Sequence, residues 1–177
     1  MSETGGEEFE PRDFLTSFRK IAVGVLMAPR AFFPEMRRSG GFGPPLLFML
    51  TCLVIHTAIV GLLHKNLALM GRNLLLGMLF PFVTAGLLHL LLTLCFRARG
   101  TFEAAFRVNA YAAAVNLLSW FPVVGMLLEF YRLYVMTVGL SAVFSTTPWK
   151  TFLALVLIVA LYAILATSMA PWLGTSP

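Results

Sequence analysis

Charge is what this sequence has least of. Asp, Glu, Lys and Arg make up 12% of its 177 residues, against about 25% in soluble domains. Hydrophobic residues reach 59%, and mean hydropathy is +0.85. A water-soluble fold of this length could not hide that much apolar surface, which excludes a soluble domain. Only two cysteines are present, Cys52 and Cys95, each inside an apolar run, which excludes a disulfide framework. Strand-like alternation is missing from the apolar runs, and that excludes a barrel. No HExxH, CxxC, GxSxG elbow, P-loop or dinucleotide fingerprint occurs, nor a rhomboid-like or aspartyl-protease-like motif, so no enzyme activity and no cofactor are expected. The net charge of +5 and the pI near 9.7 accompany no nucleic-acid-binding motif. A cleavable signal peptide is not expected either, because the N-terminus is acidic and its first apolar run, 21–28, has no basic start. No internal repeat is visible, which disfavours an inverted-repeat transporter.

What is present is a series of apolar runs near the ~20 residues that cross hydrocarbon as a helix. The expected fold is an all-α, polytopic membrane bundle. Residues 1–12 are polar and acidic and read as a disordered tail. Residues 13–43 read as an amphipathic interfacial helix and a hinge. Asp13 stands at the N-cap, Phe14, Phe18, Ile21, Val25 and Leu26 form a stripe, and Ser39-Gly40-Gly41 is a joint. Phe32 and Phe33 are expected to dip into the interface. Five spans follow, at about 45–63, 73–96, 102–121, 123–144 and 149–172, within a transmembrane domain of 44–173, and an external tail occupies 174–177. Pro81 is expected to kink the second span, Thr101 to cap the third with Glu103 in its first turn, and Trp149 and Trp172 to anchor the fifth.

The basic residues fix an orientation. Arg12, Arg19, Lys20, Arg30, Arg37 and Arg38 precede the first span, Arg97, Arg99 and Arg107 lie between the second and third, and Lys150 between the fourth and fifth; the other side has Lys65 and Arg72. The positive-inside rule then puts the N-terminus in the cytoplasm and the C-terminus outside. Arg19, Lys20, Arg30, Arg37, Arg38, Arg97 and Arg99 are the expected contacts for anionic headgroups.

Against this apolar background the third and fourth spans carry polar residues at helical spacing. Asn109, Asn116 and Ser119 share a face of one, and Glu129 and Arg132 share a face of the other. One reading is a buried seam that fixes helix register, with Glu129 and Arg132 paired at i,i+3. A second is a polar cavity or small-solute path, with Glu129 as a proton acceptor and Arg132 as its modulator or an anion contact, and a third is an interface shared between subunits. His56 and His89 are secondary intramembrane polar residues. Cys52 and His56 have an i,i+4 spacing able to hold a soft metal, but no further ligand is at hand, and no metal is assigned.

Four stretches resemble the YIP family, the Ypt/Rab-interacting multi-span membrane proteins, in its small prokaryotic form. They are the lead-in APRAFFPEMRRSGGFGPPLLFML, the long second span closing on a basic loop, the segment GTFEAAFRVNAYAAAVNLL, and the turn FPVVG that pairs spans three and four before a final span. The likeness covers about 28–170. It implies five transmembrane helices with the N-terminus cytoplasmic and the C-terminus external, and it supplies no catalytic residue. In eukaryotes it implies binding to Rab-type GTPases and partner membrane proteins. The short N-terminal region here departs from those members, so a GTPase partner is not carried over. The function expected from the sequence is a non-enzymatic scaffold or adaptor, acting on lipids, on a membrane-protein partner or as a homo-oligomer. The alternative is a small homo-oligomeric channel or transporter using the polar seam.

Overall fold

A computed structural model describes residues 8–65, 67–119 and 122–169, with all side chains except those of Leu69, Pro122, Val123, Val124 and Met169. The described part is helical: α1 (Phe14–Met27), α2 (Pro29–Glu35), α3 (Gly43–His64), α4 (Leu67–Leu94), α5 (Phe102–Ala112), α6 (Pro122–Val143) and α7 (Pro148–Met169). Short 3-10 turns precede α1 at Pro11–Asp13 and follow α5 at Ala113–Leu117. Within these helices four stretches are long and apolar enough to cross a membrane: Gly43–His64, Met70–Leu94, Gly125–Val143 and Pro148–Ser168.

The expected third span, 102–121, is not a full-length helix. Thr101 caps it as expected, its hydroxyl accepting from the Ala104 amide at 3.1 Å, with Glu103 in the first turn. The α-helix then lasts 11 residues before tightening. At the end of the 3-10 turn that follows, the Asn116 carbonyl accepts from His56 Nδ1 at 2.9 Å and from the Ser119 hydroxyl at 3.1 Å, partners outside any α-helical ladder.

α5 is nevertheless the centre of the molecule. Every residue from Ala104 to Ala112 is buried, packed by α1, α3, α4 and α6. At one end of the bundle, Arg38 Nη2 donates to the Ala142 carbonyl at 3.2 Å and Gly100 lies against Phe144. There too Thr151 Oγ1 donates to the Thr137 carbonyl at 3.1 Å. These contacts gather the start of α3, the end of α4, the end of α6 and the start of α7. Gly61 of α3 meets Met70 of α4 at the other end.

The expected interfacial helix is α1, and its apolar stripe is covered by protein. Ile21 and Val25 are buried, Phe18 packs on Phe48 at 5.1 Å between ring centroids, and Leu15, Val23 and Met27 face outward instead. α1 and α2 form a helical hairpin, with α2 along α6 and α1 against α5. Tyr131 donates to the Leu26 carbonyl at 2.8 Å near the hairpin's tip, and Phe33 sits against Gly139. Phe32 and Phe33 are therefore core residues, 6% and 0% exposed, where interfacial insertion was expected. Asp13 holds the N-cap position of α1 without a side-chain cap.

The N-terminal segment departs from the expected tail as soon as it is described. Phe9 is 1% exposed, and its amide donates to the Tyr111 hydroxyl at 3.3 Å. Glu8 pairs with both Arg37 and Arg107 at 2.8 Å. Arg107, expected as a topology signal, is fully buried and is the hub of this end. Its Nε reaches Glu103 at 3.2 Å, and Nη1 and Nη2 donate to the carbonyls of Arg37 and Gly41 at 3.1 and 2.8 Å. The Gly41 amide closes the ring on Glu103 at 2.8 Å. The Gly40-Gly41 joint, at φ +134° and +93°, is thus fastened around a guanidinium, in a backbone conformation that favours glycine. Residues 1–7 and 170–177, with Trp172 and the external tail, lie outside the described residues.

Candidate functional site at mid-bundle

The site begins with a proline. Pro81 stands in the middle of α4 and has no N–H to give the Gly77 carbonyl one turn earlier. Its own carbonyl accepts a hydrogen bond from Asn109 Nδ2 at 3.0 Å, which ties α5 to α4 at the proline. That bond turns Asn109 Oδ1 the other way, where it is buried without a partner, although the whole residue is only 1% exposed. One turn past Pro81, the Thr84 and Tyr162 hydroxyls hydrogen-bond at 2.9 Å and tie α4 to α7.

Between these ties lies a cavity of about 770 Å³. Met49 and Leu53 of α3 and Asn109 and Ala113 form a buried floor. Phe80 and Val83 of α4 and Leu165 and Ala166 of α7 line it too, and these four are exposed on the bundle's flank. The polar lining is Asn109, Asn116, Arg132, Thr84 and Tyr162. A smaller cavity of about 220 Å³ shares Thr84, Arg132 and Tyr162 and adds Glu129. Larger ligand sites commonly span about 300–1,000 Å³, mostly apolar with a few placed polar groups.

Arg132 occupies the midpoint of α6, where a cation is costly unless it is well paired. Its partner is loose. Glu129 Oε2 stands 3.8 Å from Arg132 Nη1, beyond hydrogen-bond range, and the Glu129 side chain is 60% exposed. Arg132 Nε is buried with no partner.

Of the expected polar seam, Asn109, Asn116 and Arg132 meet around the larger cavity and Glu129 around the smaller one. Ser119 bonds back to the Asn116 carbonyl and lies 3.5 Å from His56 Nδ1. His56 donates from the same nitrogen to the Asn116 carbonyl, and among the described residues no third His, Cys, Asp or Glu joins it and Cys52. His89 lies beside the Phe144 ring, 6.2 Å between centroids, with Nδ1 unpartnered. Arg19, Lys20, Arg30, Arg38, Arg97 and Arg99 are exposed, Arg30 with its guanidinium 5.8 Å from the Tyr134 ring centroid. Arg37 is exposed as well and serves the Glu8 pair. Sequence reasoning passed over Gly77, Thr84, Ala113 and Tyr162. The available signal was Pro81, since a mid-span proline frees a carbonyl and opens a helix face.

A family model described as the Yip1 domain matches residues 23–169. The chain belongs to the Yip1 family. The match runs from α1 to the end of α7 and takes in every residue lining the cavity, which makes the cavity a feature of the domain in this chain. With its apolar helices, this Yip1-family chain is an integral membrane protein. No curated protein and no solved structure matches it.

Proposed function

We propose that this Yip1-family chain is a non-enzymatic protein of a bacterial-type cytoplasmic membrane that binds a small molecule within its bundle, as a binding protein or carrier. One observation supports the reading most directly. A cavity of about 770 Å³ at mid-bundle is lined by Asn109, whose Oδ1 is buried without a partner, and by a loosely paired Arg132. Polar groups are not left unsatisfied at such depth without cost, and a ligand would satisfy both. The chain would cross the membrane five times, the third passage made by α5 and the stretch leading to α6. The N-terminus would be cytoplasmic and the C-terminus external, with the exposed basic residues on anionic headgroups.

The test uses Ala113, which is buried yet lines the cavity. In a Cys95→Ser background, Ala113→Cys should react with a small membrane-permeant maleimide in the folded, purified protein. Cys52, 0% exposed and outside the cavity lining, is the internal control and should not react. An Ala113→Cys protein as inert as Cys52 would remove the reading.

A second reading, an adaptor that docks a membrane helix of another copy, is favoured by a different feature. Phe130 and Tyr134 of α6 and Trp149 and Phe152 of α7 line an apolar groove of about 600 Å³ on the bundle's flank. Disulfide formation between copies carrying Phe130→Cys in native membranes would support docking there.

A further inference from the structure

From the cavity's chemistry and its mouth we infer that its ligand is a single-chain anionic amphiphile, drawn sideways from the bilayer, whose head also carries a hydroxyl. This rests on the small-molecule reading above and names the class of ligand. The route comes first. Phe80, Val83 and Leu165, which line the cavity, are also 47%, 52% and 46% exposed on the flanks of α4 and α7. These two helices belong to the stretches long and apolar enough to cross a membrane. The medium at that mouth is acyl chain, so a water-borne solute does not reach it and a bilayer amphiphile does.

The head follows from the unsatisfied groups. Arg132 offers a cation whose carboxylate partner stands off at 3.8 Å, with a buried Nε that has nothing to donate to. A planar guanidinium in low dielectric selects an oxyanion, carboxylate or phosphate. Asn109 lines the same cavity, and its Oδ1 is a buried, unpartnered acceptor that requires a donor. One head supplying both is an anion with a neighbouring hydroxyl, as in a lysophosphatidate. The Thr84 and Tyr162 hydroxyls are bonded to one another, and with Asn116 they complete the polar lining around these two groups. The remaining wall, Met49, Leu53 and Phe80 among it, is apolar and suits one hydrocarbon chain.

The experiment is native mass spectrometry of the full chain, titrated separately with stearoyl lysophosphatidate, stearate, monostearoylglycerol and stearyltrimethylammonium. Lysophosphatidate should form a one-to-one adduct with a Kd about tenfold below those of the neutral and cationic probes. Stearate, charged but without the hydroxyl, should fall between. Arg132→Gln should reduce anion binding to the neutral level, Arg132→Lys should keep part of the preference, and Asn109→Leu should erase the advantage of lysophosphatidate over stearate. Equal binding of neutral and anionic probes, or an anion preference untouched by Arg132→Gln, would overturn the inference. So would equal binding of stearate and lysophosphatidate to the wild-type chain. Failure here with Ala113→Cys reactive removes only the ligand class, whereas an unreactive Ala113→Cys removes the cavity reading beneath it.

Discussion

Two arginines carry opposite messages at the scale of single residues. Arg107 is fully buried and satisfied on every side by Glu8, Glu103 and two carbonyls. Removing it leaves Glu8 with Arg37 alone and Glu103 with the Gly41 amide alone, and takes the donor from the carbonyls of Arg37 and Gly41. Breaking a buried pair from one side typically costs 3–5 kcal/mol. Glu8 and Glu103 keep 13% and 25% side-chain exposure, so Arg107→Met should cost about 2–4 kcal/mol. The readout is a lowered thermal midpoint in detergent. Glu8→Gln should cost less, since the Glu103 arm and both carbonyl bonds survive. Arg132 is the reverse case. Its partner lies at 3.8 Å and is largely exposed, and pairs of that kind contribute about 0–1 kcal/mol. Arg132→Gln and Glu129→Gln should each leave the thermal midpoint within a few degrees of wild type. A loss of folding in each single variant, restored in the double, would instead make the pair a structural lock.

At the scale of elements, the close contacts explain which parts of the fold were legible in the sequence. The four long helices could be read because apolar length alone decides whether a helix can cross hydrocarbon. Thr101 could be read as a cap because capping is local, three residues away on the same chain. The hairpin of α1 and α2 could not. A stripe such as Phe18, Ile21 and Val25 looks the same whether lipid or protein covers it, and the cover is chosen by distant residues such as Phe48 and Tyr131. Arg107 was hidden for the same reason, since its partners lie up to 99 positions away at Glu8 and a basic residue beside a span ordinarily marks topology. In the candidate site, the Asn and Arg positions stood out by their polarity, while the cavity depends on how Pro81 and Ala113 are juxtaposed. Gly139 tests this packing. A Cβ there would meet Val108 at 2.6 Å and the Phe33 ring at 3.1 Å, where α2, α5 and α6 converge. Gly139→Ala should destabilise by about 1–3 kcal/mol through overpacking. Gly71→Ala, with open space around its Cβ, is the matched control and should change little.

At the scale of the whole molecule, the bundle has two chemically distinct ends. One gathers the start of α3, the ends of α4 and α6 and the start of α7, with Arg38, Arg97, Arg99, the Arg107 hub and Lys150. The other holds the turn between α3 and α4, where Lys65 sits at φ +49°. Translocation of positive charge is disfavoured, so the basic end should face the cytoplasm. The chain carries its own probe of this. Cys95, directly after α4, is exposed at the basic end, and Cys52 is buried. In intact cells a membrane-impermeant maleimide should leave the wild-type chain unlabelled and should label it once after permeabilisation. Lys65→Cys in a Cys95→Ser background should label without permeabilisation, because the α3–α4 turn is exposed at the opposite end. Labelling of Cys95 in intact cells would invert the orientation. The lateral mouth between α4 and α7 opens on the flank in either case, so the route into the cavity does not depend on which end faces the cytoplasm.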